Sequence, residues 1–356
     1  MTITSAFRFR PFSHVPGVQC LLPQTSLSLK IYPAKLVVAN FEILFLNFGP
    51  MREFTATLDL EKNNVLVHGF VAQGYLCYHI TANEKGFSLY FEKVPENFTG
   101  TLTVKPLYEN KKIVRKDTFY FECSSAFTKV AHKERLHLGA NKAQDAELII
   151  RRKDLTEIIP ELYFLSQSVP ASDFSEVEKL SLYSEALAAV NEKNKEILYQ
   201  KLYDFCRASF KSLFFPKLFD DEFLGYLYPA LTENSKATPL CILKKCFQLI
   251  RRLFFYEEGS VLHILPALPK EFHAGKMVDL TTSTKDKISL EWTKKRLRQM
   301  TIVVKERKEF VFQFPSDVKT YRLQNLKTKD VLGEFTRDSQ LLLDADATYL
   351  LDHFQK

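Results

Sequence analysis

The stretch HILPALPKEFHAGKMVDLTTSTKDKISLEW, residues 263–292, contains two prolines framing Ala-Leu, one glycine and the only tryptophan of the chain. The chain of 356 residues has only 11 glycines, so both residue types are used sparingly. One short apolar run, at 260–268, contains the first of these prolines, and another, at 287–292, ends the stretch. Such runs, bounded by turn residues, are typical of β-strands. The stretch therefore predicts strands on either side of a proline-bounded turn.

Three zones of different character surround this stretch. Residues 260–356 continue in apolar runs such as RQMTIVVK and EFVFQF, which predict a small β-sandwich. Residues 1–125 also consist of short strand-like runs, separated by turn signals such as EKNN and ANEKG, and indicate an antiparallel β-sandwich or barrel. The segment between them has helical spacing of apolar residues. We therefore predict a multidomain α+β chain: an N-terminal antiparallel β-sandwich at 1–125, a helical domain at 126–258 and a C-terminal β-sandwich at 259–356.

The helical zone predicts four or five helices. Pro160 lies inside one helical pattern and predicts an interruption or kink there. Ser172 is placed as the N-cap of another helix, with acidic residues in its first turn. The last pattern begins at Pro239 and is predicted to end at Gly259.

The opening stretch resembles the segment that joins the helical barrel to the C-terminal β-domain in glycoside hydrolase family 95. That family segment is an apolar strand, Leu-Pro-Ala-Leu-Pro, an aromatic residue, a glycine, a hydrophobic strand, and an acidic residue before tryptophan. The matching positions are Leu265, Pro266, Ala267, Leu268, Pro269, Phe272, Gly275, Val278, Glu291 and Trp292. The resemblance implies a helical toroid followed by a β-sandwich, with a sugar as the substrate class.

A second motif of that family, Asp-Gly-Asn-Phe-Gly-Gly, has a partial counterpart in FDDEFLGYLYP, residues 219–229. Asp220, Phe223 and Gly225 keep the spacing, whereas Asp221 and Glu222 stand where the family has glycine and asparagine. Leu224 also replaces a glycine, so the small residues that let a sugar approach the backbone are missing.

The resemblance implies that Asp220 is the catalytic candidate, because the aspartate of the family motif faces the sugar. Asp221, Glu222, Phe223 and Tyr226 are the candidate substrate-binding residues. Aromatic rings beside carboxylates suit sugar recognition, since the apolar face of a pyranose packs on a ring. The alternative is an acidic loop between helices, with the aromatic residues in the core.

Glycoside hydrolysis ordinarily needs a second carboxylate across the scissile bond. Glu157 and Glu161 are four residues apart and are predicted to share one face of a helix. No motif supports either residue as catalytic, and a charged helix face is the favoured interpretation.

The helical zone is short for the architecture that the resemblance implies. Twelve helices of about 11–12 residues, joined by loops of about 4–6, need about 190 residues. The zone has about 130 residues, so either the toroid is incomplete or a homo-oligomer or protein partner completes the helical domain.

Composition narrows the remaining classes of function. Neither GxGxxG nor GxxxxGK[ST] occurs, and the six cysteines form no CxxC pair, so no cofactor and no metal site are expected. The net charge of +7 is a mild excess of 49 Lys and Arg over 42 Asp and Glu. Three basic clusters are spread along the chain, IIRRKD at 149–154, LIRRLFF at 249–255 and WTKKRLRQ at 292–299, which favours a solvated surface over nucleic-acid binding. No apolar run approaches 18 residues and the N-terminus has no continuous apolar region, so a cytoplasmic protein without a membrane span is expected.

These observations predict a carbohydrate-recognising, glycoside-hydrolase-like protein that is degenerate or non-catalytic. One alternative is an active glycosidase that uses acid/base carboxylates in the helical domain. The other is a non-enzymatic scaffold or interaction protein that binds through its sandwich surfaces and basic clusters.

Overall fold

The chain is mostly β-structure, with a short helical section between two groups of sheets. The structure, a computed structural model, describes residues 1–10, 18–107, 109–125, 127–129, 133–139, 143–152, 154–170, 181–192, 196–208 and 239–355.

The first group of strands forms two sheets that pack face to face. The strands are β1 Thr2–Arg10, β2 Val18–Leu21, β3 Ser28–Tyr32, β4 Lys35–Val38, β5 Phe41–Leu46, β6 Met51–Asp59, β7 Asn64–Val71, β8 Gly74–Asn83, β9 Gly86–Lys93, β10 Thr101–Lys105, β11 Glu109–Lys112, β12 Thr118–Glu122 and, further along, β14 Ala143–Asp145. The sheets have the orders β12-β9-β8-β7-β6-β1-β14 and β11-β10-β5-β4-β3-β2. The Phe45 ring on one sheet lies 5.5 Å from Tyr78 and 6.4 Å from Phe91 on the other, so aromatic residues fill the space between them.

The second group also forms two sheets. Its strands are β13 Arg135–His137, β15 Phe255–Glu258, β16 Val261–Ile264, β17 Ala274–Thr281, β18 Lys287–Thr293, β19 Arg296–Val303, β20 Lys308–Gln313, β21 Thr320–Asn325, β22 Val331–Thr336, β23 Gln340–Leu343 and β24 Thr348–Gln355. The sheet orders are β13-β17-β18-β19-β24-β21-β22 and β15-β16-β20-β23. Phe314, which follows β20, lies 5.1 Å from Tyr321 and 5.5 Å from Phe354 of the larger sheet.

The segment between the sandwiches pairs with both of them. β13 is antiparallel to β17 in the C-terminal sheet, whereas β14 is parallel to β1 in the N-terminal sheet. A further parallel pair joins β16 to β20. The sheets therefore depart from purely antiparallel pairing where a strand arrives from another part of the chain and not through a hairpin. The boundaries at 125/126 and 258/259 stay predictions.

Five helices occur in the part of the chain that the structure describes. They are α1 Ala146–Arg152, α2 Leu155–Ser166, α3 Ser181–Asn191, α4 Leu198–Ala208 and α5 Pro239–Phe254. α2 begins after Asp154, whose carboxylate accepts a hydrogen bond from the Thr156 amide, and it continues through Pro160 without interruption. Ser172, the expected N-cap, lies outside the described residues. Among these described helices none is both long and apolar enough to cross a bilayer.

The predicted end of α5 at Gly259 is wrong. The helix ends at Phe254, and Phe255–Glu258 form β15. The Leu265 amide donates to the Phe254 carbonyl at 2.8 Å, and the Ala267 amide donates to the Leu253 carbonyl at 3.2 Å. The Leu-Pro-Ala-Leu-Pro turn thus satisfies carbonyls that the end of a helix leaves unpaired.

The glycine and the tryptophan of the opening stretch both lie at the junction between α5 and the C-terminal sandwich. Gly275 on β17 is directly opposite Trp292 on β18. The buried indole stacks on Phe254, the last residue of α5, at 5.1 Å, and its Nε1 donates to the Phe272 carbonyl at 3.1 Å. The stretch therefore joins the last helix to the C-terminal sandwich.

Candidate functional site

The residues predicted for the site lie outside the part of the chain that the structure describes. Residues 209–238 are not described, and they include all five candidates. These are Asp220, Asp221, Glu222, Phe223 and Tyr226. Their roles therefore stay predictions.

A cleft of about 550 Å³ lies where the helices meet the C-terminal sandwich. Helices α3 and α5 form one side, and β15 and the end of β17 form the other. Its lining is Glu134, Tyr183, Leu187, Phe247, Gln248, Leu249, Arg251, Arg252, Phe255, Tyr256, Glu257, Thr281, Thr282 and Ser283. The cleft thus combines four aromatic rings with both charge signs.

Glu134 forms the polar base of this cleft. Its buried carboxylate accepts hydrogen bonds from the Tyr163 hydroxyl, from Arg251 Nε at 3.0 Å and from the Thr281 amide at 2.9 Å. Arg251 also donates from its Nη2 to the Thr281 carbonyl at 2.7 Å. Gln167 fixes the backbone of Glu134 with two hydrogen bonds, of 2.8 and 2.9 Å. This network ties α2, α5 and β17 together, and it raises the pKa of Tyr163 because burial and the Glu134 carboxylate both oppose a phenolate.

The rim of the cleft is more open. Arg252 donates to Asn191 Oδ1 at 2.9 Å, and its guanidinium lies 4.4 Å from the centre of the Tyr256 ring. Glu257 accepts hydrogen bonds from the amide and hydroxyl of Ser283, the latter at 2.7 Å. The rim therefore presents a guanidinium over an aromatic ring next to a carboxylate.

The basic cluster LIRRLFF differs from the expected solvated surface. Arg251 is paired with the buried Glu134, and its guanidinium also lies 4.8 Å from the Phe255 ring centre. Its neighbour Arg252 is held by Asn191 and Tyr256. Both arginines lie in the last turn of α5 and contact residues of the cleft through their guanidinium groups.

The interpretation of Glu161 as part of a charged helix face is wrong. The residue is only 1% exposed, and its Oε2 has no hydrogen-bond partner among the described residues. Burial raises the pKa of Glu161 to about 8, aided by the Glu157 carboxylate and opposed by a backbone hydrogen bond and the Met1 amino group. Glu157 instead keeps a hydrogen bond to Arg152 at 2.6 Å. The spacing of Glu157 and Glu161 placed both residues on one helix. The burial of Glu161 depends on which residues pack over α2, and sequence spacing does not contain that information.

A depression of about 590 Å³ lies within the C-terminal sandwich, beside the Leu-Pro-Ala-Leu-Pro turn. Lys270, Lys295 and Arg337 are among its lining residues, with Asp317 as an opposing charge. It is slightly larger than the cleft, but Phe314 and His263 are the only aromatic rings in its lining. The cleft at the helices is therefore the better candidate for a ligand with apolar faces.

A group of possible metal ligands was not expected from the sequence. The ligand atoms of Cys77, His79 and Glu92 all lie within 4.8 Å of one another on the N-terminal sandwich. Burial raises the pKa of Cys77 to about 11. The available signal was Cys-x-His in a strand, because alternate residues of a strand point to the same side. Sequence spacing did not indicate Glu92 as a third member of this group, because Glu92 lies on β9 and reaches Cys77 and His79 only through strand pairing.

The fold and the cleft define a mostly β protein whose C-terminal sandwich is joined to helices by a proline-rich turn. Residues 258–351 match the family model described as Glycoside hydrolase family 95, C-terminal domain. The resemblance of the opening stretch is therefore confirmed, and the chain is glycoside-hydrolase-like in this segment, whereas the motif at 219–229 lies outside the matched residues. No curated protein matches the chain.

Proposed function

We propose that the protein recognises carbohydrate as a degenerate, non-catalytic relative of glycoside hydrolases. The sugar would bind in the cleft between α3, α5 and the C-terminal sandwich. The observation that carries this proposal is the cleft itself, about 550 Å³ in volume and lined by aromatic and charged side chains. Ligand pockets of this kind usually have volumes of about 300–1,000 Å³.

The chemistry of the cleft suits a sugar. Phe247 is partly exposed and stacks on Tyr163 at 5.0 Å, so its ring can offer only its other surface to the apolar face of a pyranose. Tyr256 is stacked between His263, at 4.1 Å, and Arg252, at 4.4 Å, and offers its ring edge and hydroxyl. Gln248, Arg252 and Glu257 offer donors and acceptors for ring hydroxyls. The mixture of ring faces and polar groups is what favours a carbohydrate over a purely apolar ligand.

Asp220 and its neighbours belong to this proposal through their place in the chain. They lie between α4, which ends at Ala208, and α5, which begins at Pro239 and supplies cleft residues. We propose that this segment brings Asp220, Asp221, Glu222, Phe223 and Tyr226 to the same cleft as sugar contacts.

The described carboxylates of the cleft favour recognition over catalysis. Glu134 is engaged by Tyr163, Arg251 and Thr281, and Glu257 is engaged by Ser283. Acid/base catalysis needs two carboxylates whose surroundings separate their roles, one of them free to donate a proton. Both of these described carboxylates already act as hydrogen-bond acceptors within the protein.

One observation favours the alternative function, an active glycosidase. The raised pKa of Glu161, about 8, is that of a carboxylic acid kept protonated at neutral pH, as a general acid requires. Its 1% exposure keeps a sugar from reaching it, which is why recognition remains the preferred proposal. Hydrolysis of any glycoside, abolished separately by Asp220→Asn and by Glu161→Gln in folded protein, would establish this alternative.

The scaffold alternative predicts binding of an acidic partner that weakens steeply with salt. The engagement of Arg251 and Arg252 inside the cleft lining removes one of the three basic clusters from the surface available to such a partner.

We also propose that the helical section is a partial toroid within a three-domain chain, divided at 125/126 and 258/259. Light scattering of the purified protein would give its mass. A mass of one chain supports an incomplete toroid, whereas a dimer or larger assembly supports completion by a second copy.

A thermal-shift screen with mono- and oligosaccharides tests the main proposal. A ligand at about 100 times its dissociation constant adds roughly 2.7 kcal/mol of stability. We expect a selective shift that Asp220→Asn and Tyr256→Ala both reduce. Tyr120→Ala is the matched control, because this tyrosine is 73% exposed on β12 of the other sandwich. The absence of a shift with every sugar would contradict the proposal.

A further inference from the structure

The outer face of the N-terminal sandwich carries a compact set of thiol, imidazole and carboxylate groups. Cys77 and His79 are alternate residues of β8, and their side chains point away from the core that Tyr78 enters. His79 Nε2 lies 2.8 Å from Glu92 Oε2, and Cys77 Sγ lies 3.9 Å from the same oxygen. The Cys77 thiol is a soft ligand, the His79 imidazole an intermediate one and the Glu92 carboxylate a hard one. All three groups lie close together.

A β-bulge places the carboxylate there. Tyr78 pairs with Phe91, but Cys77 pairs with Lys93, so Glu92 is the extra residue of β9 at this position. A bulge bends the strand locally and redirects a side chain, and such bulges are frequent beside functional sites. Regular pairing would leave Glu92 directly opposite Cys77, whereas the bulge lets it contact both Cys77 and His79.

Two of the three separations suit a tetrahedral metal site, and the third, between Cys77 Sγ and the His79 ring nitrogen, is no longer than 4.8 Å. Zn–S bonds of about 2.3 Å and Zn–N or Zn–O bonds of about 2.0–2.1 Å put S and O about 3.6 Å apart, and N and O about 3.3 Å apart. The observed distances of 3.9 and 2.8 Å differ from these by about half an ångström or less, within the reach of small side-chain rotations.

The histidine also has a supporting partner. Asn64 Nδ2 lies 3.4 Å from His79 Nδ1, on the ring side opposite Glu92. A metal on Nε2 would leave a proton on Nδ1, which the Asn64 side chain can accept once its amide is turned. Metal-binding histidines usually have such a partner on the second ring nitrogen.

We propose that Cys77, His79 and Glu92 bind a transition-metal dication, with Zn²⁺ as the best match to the ligand set. Cys77 would bind as a thiolate and release its proton to solvent, so that thiolate and carboxylate together balance the charge of the ion. Three protein ligands leave a fourth position for water or an external ligand. The partial exposure of His79 and Glu92 gives the ion a route from solution.

Metal uptake by the full chain, stripped with a chelator and desalted, tests the proposal. We expect one Zn²⁺ per chain after incubation with an equimolar amount, and Co²⁺ should give a thiolate-to-cobalt absorption band. Cys77→Ser, His79→Gln and Glu92→Gln should each lower the affinity by at least about 100-fold, and Asn64→Ala by about 10-fold, as is typical of partners beyond the ligands themselves.

Matched controls separate this site from general metal affinity. Cys123→Ser changes a partly exposed thiol outside the group, and His353→Gln changes a histidine that lies 2.9 Å from Asp352 in the other sandwich. Both controls should keep the wild-type affinity, and circular dichroism without metal should be unchanged in all variants. No uptake by the wild-type chain, no cobalt–thiolate band, or an affinity of the three ligand variants equal to that of the wild type would overturn the proposal. Where a variant fails to fold, the presence or absence of the cobalt–thiolate absorption band in the wild-type chain tests the proposal.

Discussion

The Trp292 indole lies so close to Gly275 that a Cβ built on Gly275 would be 2.4 Å from Trp292 Cζ2. The same Cβ would be 2.5 Å from the His137 carbonyl oxygen on β13. The glycine is therefore required by close packing of a ring and a neighbouring strand, at an ordinary backbone angle. This contact joins β13, β17 and β18 beneath the end of α5.

Replacing Gly275 with alanine should destabilise the protein by about 3 kcal/mol, because neither a buried indole nor a strand backbone can move freely. Gly259→Ala is the matched control: its φ of 59° strains alanine, but nothing lies within 4 Å of the added atom. That change should cost only about 1 kcal/mol. Urea unfolding of both variants measures the difference, and equal losses would argue against the packing explanation.

Arg251→Met should destabilise the protein by about 3 kcal/mol, because it leaves the Glu134 carboxylate buried with one charged partner fewer. Arg322→Met is the control, since Arg322 forms a two-bond pair with Asp352, at 2.8 and 2.9 Å, in a more exposed place. Its loss should destabilise the protein much less than that of Arg251, because the pair is screened by solvent. Chemical denaturation distinguishes the two, and similar losses would show that Glu134 does not depend on Arg251.

The raised pKa of Glu161 predicts a pH-dependent stability. The unfolded carboxyl ionises near its ordinary value of 4.5, whereas the folded one ionises near 8, so the folded state holds the extra proton between these values. Stability should therefore fall as pH rises from about 4.5 to about 8. The full penalty is on the order of 4–5 kcal/mol.

Glu161→Gln should remove this pH-dependent loss. Its stability relative to the wild type should increase steadily across that pH window, measured by denaturation at several pH values. Glu157→Gln is the control, because Glu157 is only partly buried and pairs with Arg152. A pH-independent difference between wild type and Glu161→Gln would contradict a buried neutral acid.

The hairpin between β18 and β19 turns through Lys294 and Lys295, whose φ angles are 52° and 64°. Two-residue turns of this kind prefer Asn-Gly. Replacing the pair with Asn-Gly should raise stability by about 1 kcal/mol by relieving a left-handed conformation. Lys111→Gly, in the exposed strand β11, should instead cost about 0.5–1 kcal/mol. Thermal unfolding measures both, and destabilisation by Asn-Gly would contradict this account.

Strands with clear apolar runs were predictable, and the run EFVFQF, residues 309–314, forms β20, Lys308–Gln313, apart from its last residue. The strand Val331–Thr336 was missed because its side chains alternate between exposed and half-buried, which leaves little apolar signal. Phe255 and Tyr256 extend the apolar run of α5, so the local pattern gives no sign that the helix ends at Phe254, where pairing with β16 begins.

The candidate site was less predictable than the fold. The depth of Glu161 and the buried partner of Arg251 depend on which layer covers a helix, and spacing alone does not contain that information. Glu92 reaches Cys77 and His79 through a bulge between strands. The residue pattern of a single strand does not predict such a bulge. The Leu-Pro-Ala-Leu-Pro segment was informative because its turn and tryptophan carry a family-specific arrangement.

The most direct test of carbohydrate recognition is the dissociation constant of the best sugar from the thermal-shift screen, measured by calorimetry for the wild type, Tyr256→Ala and Tyr120→Ala. We predict measurable binding by the wild type and Tyr120→Ala, and a loss of at least about 10-fold in Tyr256→Ala, which corresponds to about 1.4 kcal/mol. No binding by the wild type, or equal binding by all three proteins, would contradict a sugar site in this cleft.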